Sequence, residues 1–256
     1  MTPDLIQTLF VIFTGLVFGS FITLASYRLP LGEDIVIESS RCPVCRTKLG
    51  FRDLWPVLSW LFSGGKCRFC KTKISVRYPL IELITAAFFL LIYKNYGLTF
   101  QAVLLALFAV ALLVMIVADL EHYIIPDEIH YALLPLGLAY RFITGMPAED
   151  IAYGFLAGGA IGLTLHHGYR WVRKKEGLGY GDVKFLAIAG LWLGLKPLVP
   201  FLFFAGVLGV IFGLLWRAIG RGHIFPFGPA LASSLFLCVM FPQYPDMFWN
   251  IGLFFG

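Results

Sequence analysis

Apolar stretches of membrane-crossing length recur along this chain, and their recurrence limits the fold more than any other feature. A helix rising 1.5 Å per residue needs about 20 residues to cross ~30 Å of hydrocarbon. In that layer only helices or closed barrels satisfy every backbone polar group. Runs of this kind are read at about 5–26, 79–95, 99–118, 129–144, 150–170, 183–196, 198–217 and 229–242. The sixth is short, and Gly228-Pro229 and Pro242 bracket the eighth. Only 14% of the 256 residues are charged, where a soluble domain carries about a quarter. The expected fold is therefore all-α and polytopic, with about eight transmembrane helices. The first run has no Lys or Arg ahead of it and no small-residue cleavage site near its end, so it reads as a retained helix. The aromatic tail Met247–Phe255 is too short to cross and is expected to lie at the interface.

Three parts follow: a first transmembrane helix over 1–26, a polar loop over 27–78, and a transmembrane bundle over 79–256. Cationic residues favour the cytoplasmic side of short loops. If the 27–78 loop is cytoplasmic, seventeen of the twenty Lys and Arg fall on that side, including Lys175 and Arg221. Lys94, Arg141 and Lys196 are left for the other face. The expected orientation puts the N-terminus outside and the polar loop inside. Gly15 with Gly19, Gly154 with Gly158 and Gly162, and Gly209 with Gly213 stand at the spacing that lets helices approach closely.

The loop holds Cys42-Pro-Val-Cys45 and Cys67-Arg-Phe-Cys70. Two such knuckles match a tetrahedral four-thiolate zinc site, and a segment this short gains its folding free energy from the metal. With all four positions held by sulfur no place remains for water, so the zinc is expected to be structural. A redox pair lacks the thioredoxin-like surroundings it would need, and two disulfides do not suit a cytoplasmic loop. Cys238 reads as a small core hydrophobe. Asp53 to Trp60 reads as a short amphipathic segment with tryptophans at headgroup depth. The surrounding basic residues are expected to attract anionic lipid, at about 1 kcal/mol each near the surface, and not nucleic acid.

Two acids interrupt the apolar pattern. Asp119 closes the run from Phe100 to Ala118, and Asp182 ends Gly179-Tyr180-Gly181-Asp182 just before the sixth run. A carboxylate at the edge of hydrocarbon is costly and marks a functional site by default. Asp119 can also simply mark a helix end, and Asp182 a helix cap. A cap does not explain Gly177, Gly179 and Gly181, which suggest a flexible or tightly turned backbone ahead of the acid. Two carboxylates meeting on one side of a bundle can share a proton and activate water, the chemistry of an aspartic protease.

Gly179-Tyr180-Gly181-Asp182-Val183-Lys184 and Asp119 with Ile125-Pro126-Asp127 resemble the two signature regions of the type IV prepilin peptidases, in the GxGD group of intramembrane aspartic proteases. The similarity continues through Gly19-Ser20-Phe21, Tyr27-Arg28-Leu29-Pro30, both cysteine knuckles, and Ile74 to Pro79 with Glu82, in that family's order. The resemblance implies a bifunctional enzyme of the bacterial inner membrane, working at its cytoplasmic face. Such an enzyme cuts the basic leader from prepilins or type II secretion pseudopilins, then methylates the new amine with S-adenosylmethionine. By motif match the catalytic pair is Asp119 and Asp182, with Gly179, Gly181, Lys184 and Asp127 in support.

Some residues stand apart from that pattern. Glu82 lies inside the second run and is placed to pair with Arg77 one turn away. Glu121, Asp127 and Glu128 can attract a basic leader. His122, His130, His166, His167 and His223 show no metal-ligand spacing, and no His-Glu-x-x-His occurs. His166 and His167 are expected to mark the cytoplasmic end of the fifth run. No Gly-x-Gly-x-x-Gly follows a strand, so the methyl donor rests on the resemblance alone. The alternative is a transporter using Asp119 and Asp182 as a proton or cation site; no inverted repeat is evident and both acids fall at one face.

Overall fold

The structure, a computed structural model, describes residues 3–174, 177–220, 222, 225–243 and 245. Lys175, Arg221, His223 and the tail Met247–Phe255 lie outside the described residues. Among those described there is no strand, and helices occupy every stretch read as an apolar run. They are α1 (Pro3–Arg28), α3 (Arg77–Tyr96), α4 (Phe100–His122), α5 (Asp127–Thr144), α6 (Ala148–Arg173), α7 (Tyr180–Leu193), α8 (Leu198–Ala218) and α9 (Gly228–Met240). A short α2 (Leu58–Phe62) lies in the polar loop. Four are long and apolar enough to cross a bilayer: the stretch Asp4–Leu31 around α1, then α3, α4 and α8. The protein is a multi-pass helical membrane protein. α7 has 14 residues, about 21 Å of rise. Gly145 ends α5 in the left-handed conformation at φ 70°, where a Cβ would be strained.

The chain divides inside α4 into two compact units, 1–114 and 115–256. In the first, α1 lies against α3. A Cβ on Gly15 would come 2.6 Å from the Ala86 Cα, and one on Gly19 would strike the Glu82 backbone. Past α1, the Arg28 guanidinium donates to the carbonyls of Asp34, Glu38 and Ser39, which orders the start of the polar loop. The Trp60 indole donates to the Ile74 carbonyl at 3.1 Å and so ties α2 to the loop's end. Trp55 and Phe62 remain exposed.

In the second unit α7 is the central helix. Gly154 of α6 and Gly190 of α7 meet backbone to backbone, and a Cβ on Gly158 would run into the Leu186 carbonyl. This is the close helix approach that small residues permit. On the other side, Trp192 is fully buried, stacks on Tyr140 with centroids 5.3 Å apart, and donates to the Leu133 carbonyl of α5 at 3.0 Å. Ser234 of α9 donates to the Phe201 carbonyl of α8 at 2.7 Å. α7 is thus held on two flanks, and its first turn carries Asp182.

Candidate active site

Asp119 lies in the last turn of α4 and is 6% exposed. Its Oδ2 accepts a 2.7 Å hydrogen bond from the Gly228 N–H, at the start of α9. Asp182 is the third residue of α7, inside the helix that sequence reading starts at 183, and its Oδ2 accepts the Gly179 N–H at 3.2 Å. Asp182 therefore caps its own helix, with Gly179 at the capped position. Both acids belong to the second unit and lie close enough for the charge of Asp119 to act on Asp182. Each commits Oδ2 to a backbone N–H; among the described residues no hydrogen bond to either Oδ1 is seen.

The glycines around the acids serve contact, not left-handed backbone. Gly177, Gly179 and Gly181 are all outside the positive-φ region, so the turned backbone ahead of Asp182 does not use left-handed glycines. A Cβ on Gly177 would enter the Tyr169 ring, and one on Gly181 would come 3.1 Å from the Ile125 Cβ. Ile125 belongs to the Ile125-Pro126-Asp127 segment, so this contact joins the two signature regions directly. Lys184 donates to Asp127 Oδ1 at 2.7 Å, with both side chains about half exposed. The same Asp127 oxygen lies 3.6 Å from the His130 Nδ1.

Sequence reasoning passed over His130 and His166. His130 is buried and donates from Nε2 to the Gly181 carbonyl at 3.0 Å. His166, also buried, donates from Nδ1 to the Leu178 carbonyl at 2.6 Å, and its ring lies 4.3 Å from that of Tyr180. His130 follows Asp127 by three residues, the spacing of one helix face, and that was the available signal. His166 offered none.

In the first unit the four sulfurs of Cys42, Cys45, Cys67 and Cys70 all lie within 4.8 Å of one another, with Cys42 and Cys70 Sγ 3.8 Å apart. Zinc–sulfur bonds of about 2.3 Å in a tetrahedron separate the sulfurs by roughly that amount, so the donor set fits zinc. The two knuckles fold alike. Arg46 N–H donates to the Cys42 carbonyl and Lys71 N–H to the Cys67 carbonyl, both at 2.9 Å. Arg46 and Lys71 both take positive φ, at 58° and 60°. All four thiols are unbridged. Hydrogen bonding from Thr72, side chain first and backbone second, brings the Cys70 thiol down to about 6, which favours the metal-binding thiolate.

Glu82 is buried and accepts the Val57 N–H at 2.7 Å. Arg77 donates to the Ser26 Oγ at 3.5 Å. Val57 stands at φ 59°, an uncommon conformation for a β-branched residue.

A prepilin leader peptidase/N-methyltransferase of Bacillus subtilis (strain 168) is 33% identical over 237 residues, 89% of this chain and 91% of that relative. Residues 13–96 match the bacterial peptidase A24 N-terminal domain, and residues 106–214 the type IV leader peptidase family. The chain belongs to the type IV leader peptidase family. Proteins of the same description from Neisseria gonorrhoeae and Dichelobacter nodosus are 33% and 32% identical, over 86% and 100% of this chain and 85% and 98% of their own lengths. No solved structure matches. A type IV leader peptidase is a membrane protease, and nothing found here favours the transporter alternative.

Proposed function

We propose that this type IV leader peptidase removes the basic leader of type IV prepilins or type II secretion pseudopilins and methylates the exposed N-terminal amine. The observation that carries the proteolytic reading is that Asp119 and Asp182 fall in one compact unit, each with one oxygen held by a backbone N–H, and with Asp182 within reach of the Asp119 charge.

In the proposed reaction one carboxylate is ionised and the other protonated, because like charges held close do not both ionise. The ionised acid takes a proton from water, and the water oxygen bonds to the scissile carbonyl carbon. The protonated acid gives its proton to the carbonyl oxygen. Collapse of the tetrahedral intermediate breaks the C–N bond: the departing amine takes the proton that the first acid drew from water, and a hydroxyl of the intermediate returns a proton to the second acid as the new carboxyl group forms. Gly179, Gly181, Asp127 and Lys184 act by holding the Asp182 turn. Glu121, Asp127 and Glu128 attract the basic leader from water.

The reading places the protein in the bacterial inner membrane, with the N-terminus outside, both acids at the cytoplasmic face, and eight crossings. Residues 1–26 form the first crossing, 27–78 a cytoplasmic zinc-folded loop, and 79–256 the peptidase bundle. Zinc on Cys42, Cys45, Cys67 and Cys70 acts as a staple, and the loop's cations sit against anionic lipid. Glu82, with Arg77 nearby, supports the junction of this loop with α3. S-adenosylmethionine supplies the methyl group as a second substrate.

Incubating purified protein with a prepilin and weighing the product tests both halves. Loss of the leader shows the peptidase, and a further gain of one methyl the transferase. Asp119→Asn and Asp182→Asn are expected to insert and fold but not to cleave; cleavage by either would remove the dyad.

A further inference from the structure

We propose that His130 and His166 are positioning residues for Asp182. The inference rests on Asp182 being one of the two catalytic acids. A peptide group is planar, so fixing its carbonyl fixes its N–H. The Leu178 carbonyl, which accepts from His166 Nδ1 at 2.6 Å, shares a peptide plane with the Gly179 N–H, which donates to Asp182 Oδ2 at 3.2 Å. The Gly181 carbonyl, which accepts from His130 Nε2 at 3.0 Å, shares a plane with the Asp182 N–H itself. The two peptide groups that orient Asp182 are therefore each held by a histidine, one from α5 and one from α6.

Both rings are almost fully enclosed, at 5% and 2% exposure. A carbonyl oxygen only accepts, so the ring nitrogen facing it carries the proton. Chained hydrogen bonds strengthen one another in a low-dielectric interior; His166 thus also makes the Gly179 N–H a better donor to the carboxylate. Gly177, Gly179 and Gly181 contribute no side-chain hydrogen bonds of their own to lock this loop. The histidines supply that lock from outside it.

The chemistry sets a crossed substitution test. A glutamine amide nitrogen reaches about as far as Nε2 of histidine, and an asparagine amide nitrogen about as far as Nδ1. Full-length His130→Gln and His166→Asn are expected to keep prepilin cleavage near the parent rate. His130→Asn and His166→Gln are expected to lose about tenfold or more in kcat, with KM within about twofold. Rates are normalised to the folded fraction from thermal unfolding in nanodiscs. Equal losses for Gln and Asn at each position, or parent kcat in all four variants, would overturn the assignment. Asp182→Asn runs alongside. Its inactivity with indifferent histidines refutes only the positioning role, whereas its activity refutes the dyad and this inference together.

Discussion

The Asp119 carboxylate accepts the backbone N–H of Gly228, a residue 109 positions further along the chain, at 2.7 Å. A Cβ on Gly228 would stand 2.6 Å from the same oxygen. The hydrogen bond and the missing side chain are one requirement: the N–H reaches the acid only because nothing projects from the next atom.

Gly228→Ala is accordingly expected to displace the Asp119 carboxylate and cut prepilin cleavage at least about tenfold, the effect of one misplaced catalytic hydrogen bond. Membrane insertion and yield should be near those of the parent. A fully active G228A would show that Asp119 does not need this anchor.

The Asp127–Lys184 pair is half exposed, so its worth in stability is small, below about 1 kcal/mol. Lys184→Met is expected to leave the melting temperature within a few degrees. Because Lys184 follows Asp182 on the same helix turn, kcat should fall several-fold. An unchanged kcat in detergent and in bilayers would make the pair a bystander.

One zinc per chain is expected by elemental analysis of purified protein, and Cys67→Ser should lower that content with partial unfolding of 27–78. The sign of its pH dependence comes from Cys70. With its thiol brought down to about 6, the thiolate is present above that value and is lost as pH falls through it. The Cys42 thiol is instead pushed up to about 11, so metal capture by chelator-treated protein should weaken progressively as pH falls and be weakest below about pH 6. Capture that strengthened on acidification would contradict a four-thiolate site.

At the α6–α7 contact Gly154 has no room for any side chain. Gly154→Val is expected to lower stability by about 1–3 kcal/mol or more through overpacking, and to lose activity by shifting α7. A G154V protein with parent melting behaviour would mean the two helices separate more easily than their packing implies.

Features set by short-range spacing were legible in the sequence. The helices stand where the apolar runs are, and each cysteine knuckle closes locally through its own backbone bonds, with the four sulfurs brought together as their paired spacing suggested. The Asp182 region was legible as a site candidate, but its mechanics were not. The spacing of Gly177, Gly179 and Gly181 suggested a flexible or tightly turned backbone; the close contacts of the first and last with Tyr169 and Ile125, without positive φ, were not readable from it. Contacts of this kind depend on which elements face each other, and local pattern carries no record of that. The same reason hid the Gly228 anchor and His166. Trp60, expected at headgroup depth, spends its indole N–H on Ile74.

The family match ends at residue 214, ahead of the amide that stations Asp119. A fragment cut to the matched segment would carry both acids yet leave one of them adrift. The smallest piece of this chain able to work must therefore run on past the start of its ninth helix, and engineered truncations should be drawn from that boundary.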